Sequence, residues 1–204
     1  MVKPLDDLGF SALQRVEPET FERLRAYVAL LEKWNRRINL VGPSTLADVW
    51  RRHILDSAQL FRLLPPSTRV LVDLGSGAGL PGLILGILGV PEVHLIEADA
   101  RKSAFLLEAA RVTGTAARVH AVRIEQAPVI AADVVTARAL APLNRLIDYA
   151  RPFLLSGGSC YFLKGAQWAA ELAEARGYPT MIVSSHPSES DGAGAILHVE
   201  YLGS

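Results

Sequence analysis

The segment that decides the fold is Asp73-Leu-Gly75-Ser-Gly77-Ala-Gly79-Leu80-Pro81-Gly82, which follows an apolar run at residues 69–74. Glycines at alternate positions remove Cβ atoms where the backbone must pass close to a ligand. Glu97 ends the next apolar run, 22 residues after Gly75. Neighbouring parallel strands end at the same sheet edge, so the Glu97 carboxylate is expected beside the turn, where two ribose hydroxyls can reach it. The pattern predicts a nucleoside site; the alternative is a tight turn with an unrelated surface glutamate.

Strand and helix patterns alternate on both sides of this turn. Strands are predicted at residues 69–74, 92–97, 117–123, 133–137 and 158–164, with a closing hairpin at 181–185 and 196–202. Helices are predicted from about residue 81 and at 101–113, 143–153 and 166–176. This alternation predicts an α/β protein of Rossmann-like type: a mostly parallel seven-stranded sheet, covered on both faces and closed by an antiparallel hairpin.

The first 65 residues follow a helical pattern instead. Helices are predicted at residues 18–37, 44–51 and 57–64, and Asp56 and Gln59 have capping-box spacing for the last of them. Pro65-Pro66-Ser67 reads as a short linker. The chain is therefore predicted to consist of an N-terminal helical segment, 1–65, and a Rossmann-like domain, 66–204.

The sequence predicts where in the cell the protein is located. The N-terminus has no apolar run after a basic start, so no secretory signal is predicted. The longest apolar stretch, residues 80–90, is too short to span a bilayer. Cys160 is the only cysteine, which excludes an intrachain disulfide and fits a reducing cytosol. A cytoplasmic protein without a membrane partner is expected.

Charge is balanced overall but unevenly distributed. Lys and Arg number 21, as do Asp and Glu, so net charge alone does not indicate nucleic-acid binding. Residues 1–65 carry ten basic against eight acidic side chains, whereas residues 166–204 carry one against five. A polyanion is therefore expected at the N-terminal half and the middle of the chain.

Two cofactors are candidates for the glycine turn, NAD and S-adenosylmethionine. Residues 77–82 match G-x-G-x-x-G, the NAD fingerprint, but in that fingerprint the first glycine follows the strand at once. Here Asp73 and Gly75 come first. Asp-x-Gly-x-Gly-x-Gly resembles motif I of Rossmann-like methyltransferases, whose ligand has no phosphate and carries an amino-acid end. We expect Asp73 to hold that end, directly or through water, and favour S-adenosylmethionine over NAD.

Further segments in the same order resemble one family, the bacterial ribosomal RNA small subunit methyltransferase G family, also called glucose-inhibited division protein B. They cover about residues 24–165 and are Lys33-Trp34-Asn35 with Asn39-Leu40, Arg52-His53-Ile-Leu-Asp56-Ser57, Asp73 to Gly82, Arg138-Ala-Leu-Ala-Pro-Leu143 and Leu163-Lys164-Gly165. The resemblance implies a class I methyltransferase that transfers a methyl group from S-adenosylmethionine to N7 of a guanosine in 16S rRNA, at position 527 in the 530 loop. The implied partner is 16S rRNA or the small ribosomal subunit, approached by the N-terminal segment, with no stable protein partner.

The resemblance also implies a cofactor site. Carried over by position or placed by the glycine turn, the expected cofactor-binding residues are Asp73, Gly75, Gly77, Gly79, Leu80, Glu97, Ile124, Glu125 and Arg138. Ile124 and Glu125 follow the third strand, where adenine would lie. Arg138 ends the fourth strand, and the sequence leaves open whether it pairs with the cofactor carboxylate or with an RNA phosphate.

No catalytic residue is assigned, because guanine N7 carries an in-plane lone pair and no proton, so its methylation needs alignment and not a general base. Candidates near the target base are Arg52, His53, Asp56, Arg138 and Lys164. RNA-binding candidates are Lys33, Arg36, Arg37, Arg51, Arg52 and Lys164. The alternatives are a solvated helical face for the arginines, an ion pair or helix cap for Arg52 and Asp56, and a structural role for His53.

The sequence is also compatible with other functions. The histidines on the predicted strands show no metal-ligand spacing, so no metal site is predicted. The residues around 191–195 offer fewer basic side chains than the family resemblance leads us to expect, so RNA contact is not predicted for the tail. A methyltransferase of another substrate and a non-catalytic nucleotide- or RNA-binding module are the two alternatives.

Overall fold

The sheet has the predicted mixed architecture. A computed structural model describes residues 4–175 and 181–201, and the strand order in it is β3-β2-β1-β4-β5-β7-β6. The first five of these pair in parallel, and β7 is antiparallel to both neighbours. The strands are β1 Val70–Leu74, β2 Glu92–Ile96, β3 Ala117–His120, β4 Ala132–Arg138, β5 Leu154–Lys164, β6 Met181–Pro187 and β7 Ala195–Tyr201. The Rossmann-like class I fold and its closing hairpin are confirmed.

Strand order reverses between β1 and β4, because β2 and β3 continue the sheet on one side and β4 and β5 on the other. Ligands of open α/β sheets bind in the crevice at the carboxyl ends of the strands flanking such a reversal. Both candidate regions of the sequence lie there: the glycine turn follows β1, and Arg138 ends β4.

Helices cover both faces of the sheet. They are α1 Asp7–Gln14, α2 Pro18–Asn35, α3 Pro43–Leu46, α4 Asp56–Ala58, α5 Gly82–Leu88, α6 Ala100–Thr113, α7 Leu143–Ala150 and α8 Trp168–Glu174. None of the described helices is long and apolar enough to cross a membrane. The ends predicted at residues 176 and 202 fall outside the described residues.

The N-terminal helices pack directly on the sheet layer. Helix α2 buries Leu24, Tyr27 and Leu31 in the same hydrophobic cluster as residues of β1, α5 and α6. The Tyr27 hydroxyl donates a hydrogen bond to the carbonyl of Ala78, inside the glycine turn, at 2.7 Å. The Arg23 guanidinium donates to the carbonyl of Thr113 at 2.6 Å. Residues 1–65 and 66–204 remain a predicted division, and the described parts of both contribute to one core.

Two helical predictions differ from the structure. Helix α1 was not predicted; Asp6 caps it by accepting from the Gly9 amide, and it buries Phe10. The chain also winds continuously from Trp50 to Arg62, through a wide π-helical turn at Trp50–Leu55, where separate helices were predicted. We call residues 50–62 the 50–62 segment. Because Asp56 lies inside it with helical torsion angles, Asp56 is not the predicted N-cap.

The glycine that begins α5 supports a stability prediction. A Cβ on Gly82 would lie 2.5 Å from Asp73 Cβ and 2.8 Å from Leu95 Cδ2. We expect Gly82→Ala to lower the free energy of unfolding by about 1–3 kcal/mol, because overpacking displaces buried neighbours. Guanidinium unfolding measures this change. Gly192→Ala is the matched control, since a Cβ there meets nothing within 4 Å, and equal stability losses in both variants would contradict the prediction.

Candidate active site

The glycine turn and Glu97 meet as the sequence pattern requires. Gly75, Gly77 and Gly79 have φ angles of +63°, +56° and +83°, which residues with a Cβ rarely adopt. The buried Glu97 carboxylate accepts hydrogen bonds from the Gly77 amide and the Asp99 amide, each at 2.8 Å. Each carboxylate oxygen has a second lone pair, so the group can still accept two hydroxyl donors.

The turn contains open and packed positions. A Cβ on Gly77 would meet only the carbonyl oxygen of Gly75, at 3.8 Å, so the backbone there is free for close approach. A Cβ on Gly79 would lie 2.8 Å from Leu83 Cβ, and Leu80 is buried in the core cluster. Gly79 and Leu80 therefore shape the turn from beneath. On the same sheet edge, Ile124 and Glu125 lie in a short 3-10 turn after β3.

Asp73 lies fully buried below the turn. Its Oδ1 atom accepts a hydrogen bond from the Thr136 hydroxyl at 2.7 Å, whereas Oδ2 has no hydrogen-bond partner among the described residues. Burial raises the pKa of Asp73 to about 6, and the Thr136 hydroxyl opposes that shift. A buried acceptor without a donor is costly, so Oδ2 fits an ammonium group or a water molecule as its missing partner.

A cleft of about 680 Å³ adjoins the turn. It lies between the 50–62 segment, the loop after β4, the end of β5 and the β6–β7 loop. Leu140 connects the two regions: its Cδ1 atom lies 2.6 Å from where a Cβ on Gly75 would be. All five candidates for the target-base site line this cleft: Arg52, His53, Asp56, Arg138 and Lys164.

Arg138 is held by the 50–62 segment. Its Nη1 donates to Asp56 Oδ2 at 3.0 Å and to the Arg52 carbonyl at 3.2 Å, and its Nη2 donates to His53 Nδ1 at 3.2 Å. The Arg138 and Asp56 side chains are only 19% and 16% exposed. The protein itself therefore supplies a carboxylate for Arg138, an alternative to the cofactor and RNA partners considered from the sequence.

His53 is a neutral, buried histidine. Because a guanidinium only donates, His53 Nδ1 must accept from Arg138, and the proton lies on Nε2. Nε2 then donates to the Thr45 hydroxyl at 2.7 Å, which donates to the Gly42 carbonyl at 2.7 Å. Burial lowers the pKa of His53 to about 3, with the positive charges of Arg138 and Arg52 adding to the shift. His53 thus links the loop at residues 42–45 to Arg138.

Comparison with known proteins assigns this arrangement to a family. The family model described as rRNA small subunit methyltransferase G matches residues 20–189. The chain belongs to the rRNA small subunit methyltransferase G family. Ribosomal RNA small subunit methyltransferase G of Rhodospirillum rubrum is 61% identical over 94% of this chain and 95% of its own length. Ribosomal RNA small subunit methyltransferase G of Rhodospirillum centenum is 61% identical over 95% of this chain and 89% of its own length.

Solved structures with lower identity share the fold. The ribosomal protein L11 methylase of Lactobacillus delbrueckii subsp. bulgaricus has a TM-score of 0.60 and 18% identity, covering 71% of this chain and 78% of its own. TYW2 of P. horikoshii, solved in complex with MeSAdo, has a TM-score of 0.57 and 14% identity. The match covers 74% of this chain and 63% of the TYW2 chain. Family membership makes the chain a methyltransferase, and the neighbours support its fold.

Lys164, an RNA-binding candidate of the methyltransferase G pattern, is already engaged. Its Nζ donates to Glu171 Oε2 at 2.6 Å and to the Ala141 carbonyl at 2.9 Å, and its side chain is 8% exposed. Glu171 Oε2 also accepts from the Leu143 amide at 2.9 Å. Lys164 and Glu171 therefore fix the loop between β4 and α7, which carries Leu140 over the glycine turn.

The structure does not contain the Arg52–Asp56 ion pair at i, i+4 that was the alternative to a functional role. Arg52 Nη1 instead pairs with Asp191 Oδ2 at 2.9 Å, and Asp56 pairs with Arg138. Ser190 Oγ donates to Asp56 Oδ1 as well. Glu171 and Asp191, two of the five acidic residues after position 165, thus line the cleft. No sequence signal specified the partner of Asp191, because Arg52 lies 139 positions away.

The remaining basic candidates lie near the end of α2. Lys33, Arg36 and Arg37 are exposed and form no ion pair among the described residues, whereas Arg51 pairs with Asp48 at 3.5 Å. Asn35, from the same family segment, organises the following loop. Its Oδ1 accepts from the amides of residues 40 and 41, both at 2.9 Å, and that loop lines the cleft.

Metal and thiol chemistry find no support in the described residues. No group of three or more His, Cys, Asp or Glu side chains there could hold a metal ion. His94 and His120 form a stacked pair, with Nδ1 of His94 2.9 Å from Nε2 of His120. Cys160 is buried, and burial raises the pKa of its thiol, which disfavours the nucleophilic thiolate.

The depressed pKa of His53 predicts a pH dependence. In the unfolded chain a histidine has a pKa near 6.5. As pH falls below that value, the unfolded state binds a proton that folded His53 does not bind, and the unfolded state becomes more favourable. We expect His53 to account for a loss of about 2 kcal/mol in the free energy of unfolding between pH 7 and pH 5. His53→Asn retains an acceptor for Arg138 and should lose less stability over this range, as measured by urea unfolding at both pH values. Identical pH dependence in the two proteins would contradict the prediction.

Proposed function

We propose that this protein transfers a methyl group from S-adenosylmethionine to N7 of a guanosine in 16S rRNA, at position 527 in the 530 loop. The observation that carries the proposal is the junction of two sites. Glu97 and the glycine turn form a nucleoside-type cradle, and Leu140 joins that cradle to a cleft lined by the family's Arg52–Asp56 and Arg138 segments. A methyl donor and a base held in adjoining sites are what group transfer requires.

The residues around the turn fit adenosylmethionine. Glu97 would accept from the ribose hydroxyls, the open backbone at Gly77 would allow close approach, and Asp73 Oδ2 would gain a donor from the ammonium end. Ile124 and Glu125 would lie beside the adenine. When bound, adenosylmethionine supplies a methyl group on a positively charged sulfur. NAD is disfavoured, because the family is one of methyltransferases.

The residues of the cleft act by orientation. Guanine N7 has no proton to lose, and His53 is neutral and hydrogen-bonded on both ring nitrogens, so no general base is required of it. A guanidinium has five N–H groups, and Asp56, His53 and the Arg52 carbonyl occupy three of those of Arg138. The other two are available to guanine O6 or to a phosphate. Arg138 would thus position the base, because the protein already fixes the orientation of its guanidinium group.

The RNA partner would be 16S rRNA or the small ribosomal subunit in the cytoplasm, with no stable protein partner. Lys33, Arg36 and Arg37 are exposed near the end of α2 and suit phosphate contacts. Family membership disfavours the two alternatives, a methyltransferase of an unrelated substrate and a non-catalytic binding module.

Removing the Glu97 carboxylate tests the cofactor site. We expect Glu97→Ala to weaken adenosylmethionine binding by about 1.5–3 kcal/mol, because charge-assisted hydrogen bonds to the ribose are lost. Isothermal titration calorimetry measures the affinity. Glu92→Ala is the matched control: it removes a glutamate from the opposite end of β2, where Glu92 contacts His94 and Arg118. Unchanged affinity in Glu97→Ala, or equal losses in both variants, would refute the ribose assignment.

The target atom can be tested by deleting it. With labelled adenosylmethionine, we expect label in unmodified small subunits or in their free 16S rRNA, at one guanosine of the 530 loop. Replacing that guanosine by 7-deazaguanosine exchanges N7 for C–H, which has no lone pair, and should abolish the label. Label that persists in the 7-deaza RNA would exclude N7, and absence of label from both unmodified substrates would refute the proposed function.

A further inference from the structure

Two exposed arginines of the 50–62 segment are paired with carboxylates of one loop. Arg52 pairs with Asp191, with side chains 41% and 38% exposed, and Arg62 pairs with Glu189, with side chains 54% and 49% exposed. Asp191 and Glu189 are two residues apart in the β6–β7 loop, which forms one wall of the cleft. The β6–β7 loop therefore places two negative charges beside the 50–62 segment. Under the proposed function, this segment faces the RNA.

Two ion pairs that line the cleft are more buried than these. Arg138 and Asp56 are 19% and 16% exposed, and Lys164 and Glu171 are 8% and 23% exposed. Separating a buried pair is strongly destabilising, because it leaves a charge without compensation, whereas an exposed pair contributes little. Of these four pairs, those of Arg52 and Arg62 can exchange their anions at low cost.

The β6–β7 loop does not depend on those two carboxylates for its attachment. The Glu189 amide donates to Gln59 Oε1 at 2.7 Å, Gln59 Nε2 donates to Ser188 Oγ at 3.3 Å, and Ser190 donates to Asp56. The Asp191 side chain is preoriented by the Ala193 amide, at 3.1 Å from Oδ1. That amide and Arg52 lower the pKa of Asp191, so it is ionised at neutral pH.

We propose that Asp191 and Glu189 occupy, on Arg52 and Arg62, the places that two phosphates of the RNA backbone take in the bound state. The inference rests on the proposed RNA substrate. Free protein keeps both arginines neutralised, which weakens its attraction for arbitrary polyanions. An RNA whose shape brings phosphates to both arginines displaces the carboxylates without moving the buried pairs.

Charge removal on the loop tests the exchange. We expect Asp191→Asn to bind a 530-loop RNA up to about five-fold more tightly than wild type, because the phosphate no longer competes with a carboxylate for Arg52. Fluorescence anisotropy over a series of KCl concentrations measures both affinity and its salt dependence. Glu19→Gln removes one exposed carboxylate from the first turn of α2 and controls for net charge; it should leave the affinity nearly unchanged.

A double-mutant cycle separates exchange from a general charge effect. Arg52→Gln should weaken binding and lower the slope of log K against log salt by about 0.7–0.9, the value of one lost phosphate contact. In that background Asp191→Asn should bring no further gain. The Arg62 and Glu189 pair provides a second, independent cycle with the same expected pattern if either variant of the first pair is unstable.

The outcomes distinguish failure of this inference from failure of the proposed function. Coupling in the cycle together with the lowered slope supports the inference. An equal gain from Asp191→Asn with and without Arg52, or an unchanged slope in Arg52→Gln, overturns it. If wild-type protein places label in the RNA while the cycles show no coupling, this inference fails and the proposed function stands; if no label enters RNA, the proposed function itself fails.

Discussion

The hydrogen bond from the Gly77 amide to the Glu97 carboxylate is the contact on which the site depends. It links the turn after β1 to the residue after β2, within a turn whose glycine at position 77 has a positive φ angle. Glu97 stays buried yet retains lone pairs for a ligand. The Glu97 side chain thus both stabilises the glycine turn and provides a hydrogen-bond acceptor for a ligand.

From this contact the structure extends through short, specific links. Tyr27 ties helix α2 to the carbonyl of Ala78 in the glycine turn, so the N-terminal helices are positioned relative to the nucleoside-type cradle. On the other side, Leu140 packs over Gly75, and Lys164 with Glu171 holds the loop that carries Leu140. The nucleoside-type cradle and the cleft are therefore joined by direct packing and hydrogen bonds.

The cleft is dense with charge, yet most of that charge is internally compensated. Asp56 orients Arg138, Glu171 orients Lys164, and neutral His53 completes the support of Arg138 through Thr45. Such fixed groups cost no reorganisation when a ligand arrives, which suits a reaction that needs alignment more than proton transfer. Exposed pairs such as Arg52 with Asp191 are the adaptable part of the same surface.

Sequence by itself determined the alternation of strands and helices, the parallel sheet with its closing hairpin, and the meeting of the glycine turn with Glu97. Those features depend on local periodicity and on the rule that parallel strands end at one edge, so spacing along the chain is enough. Only the tertiary structure decided which carboxylates Arg138 and Arg52 take. Asp56 binds Arg138, 82 positions away, and Asp191 binds Arg52, 139 positions away, because the packing of the 50–62 segment against the sheet and the β6–β7 loop places them together. Ion pairs of that range follow from folded geometry, which no short motif encodes.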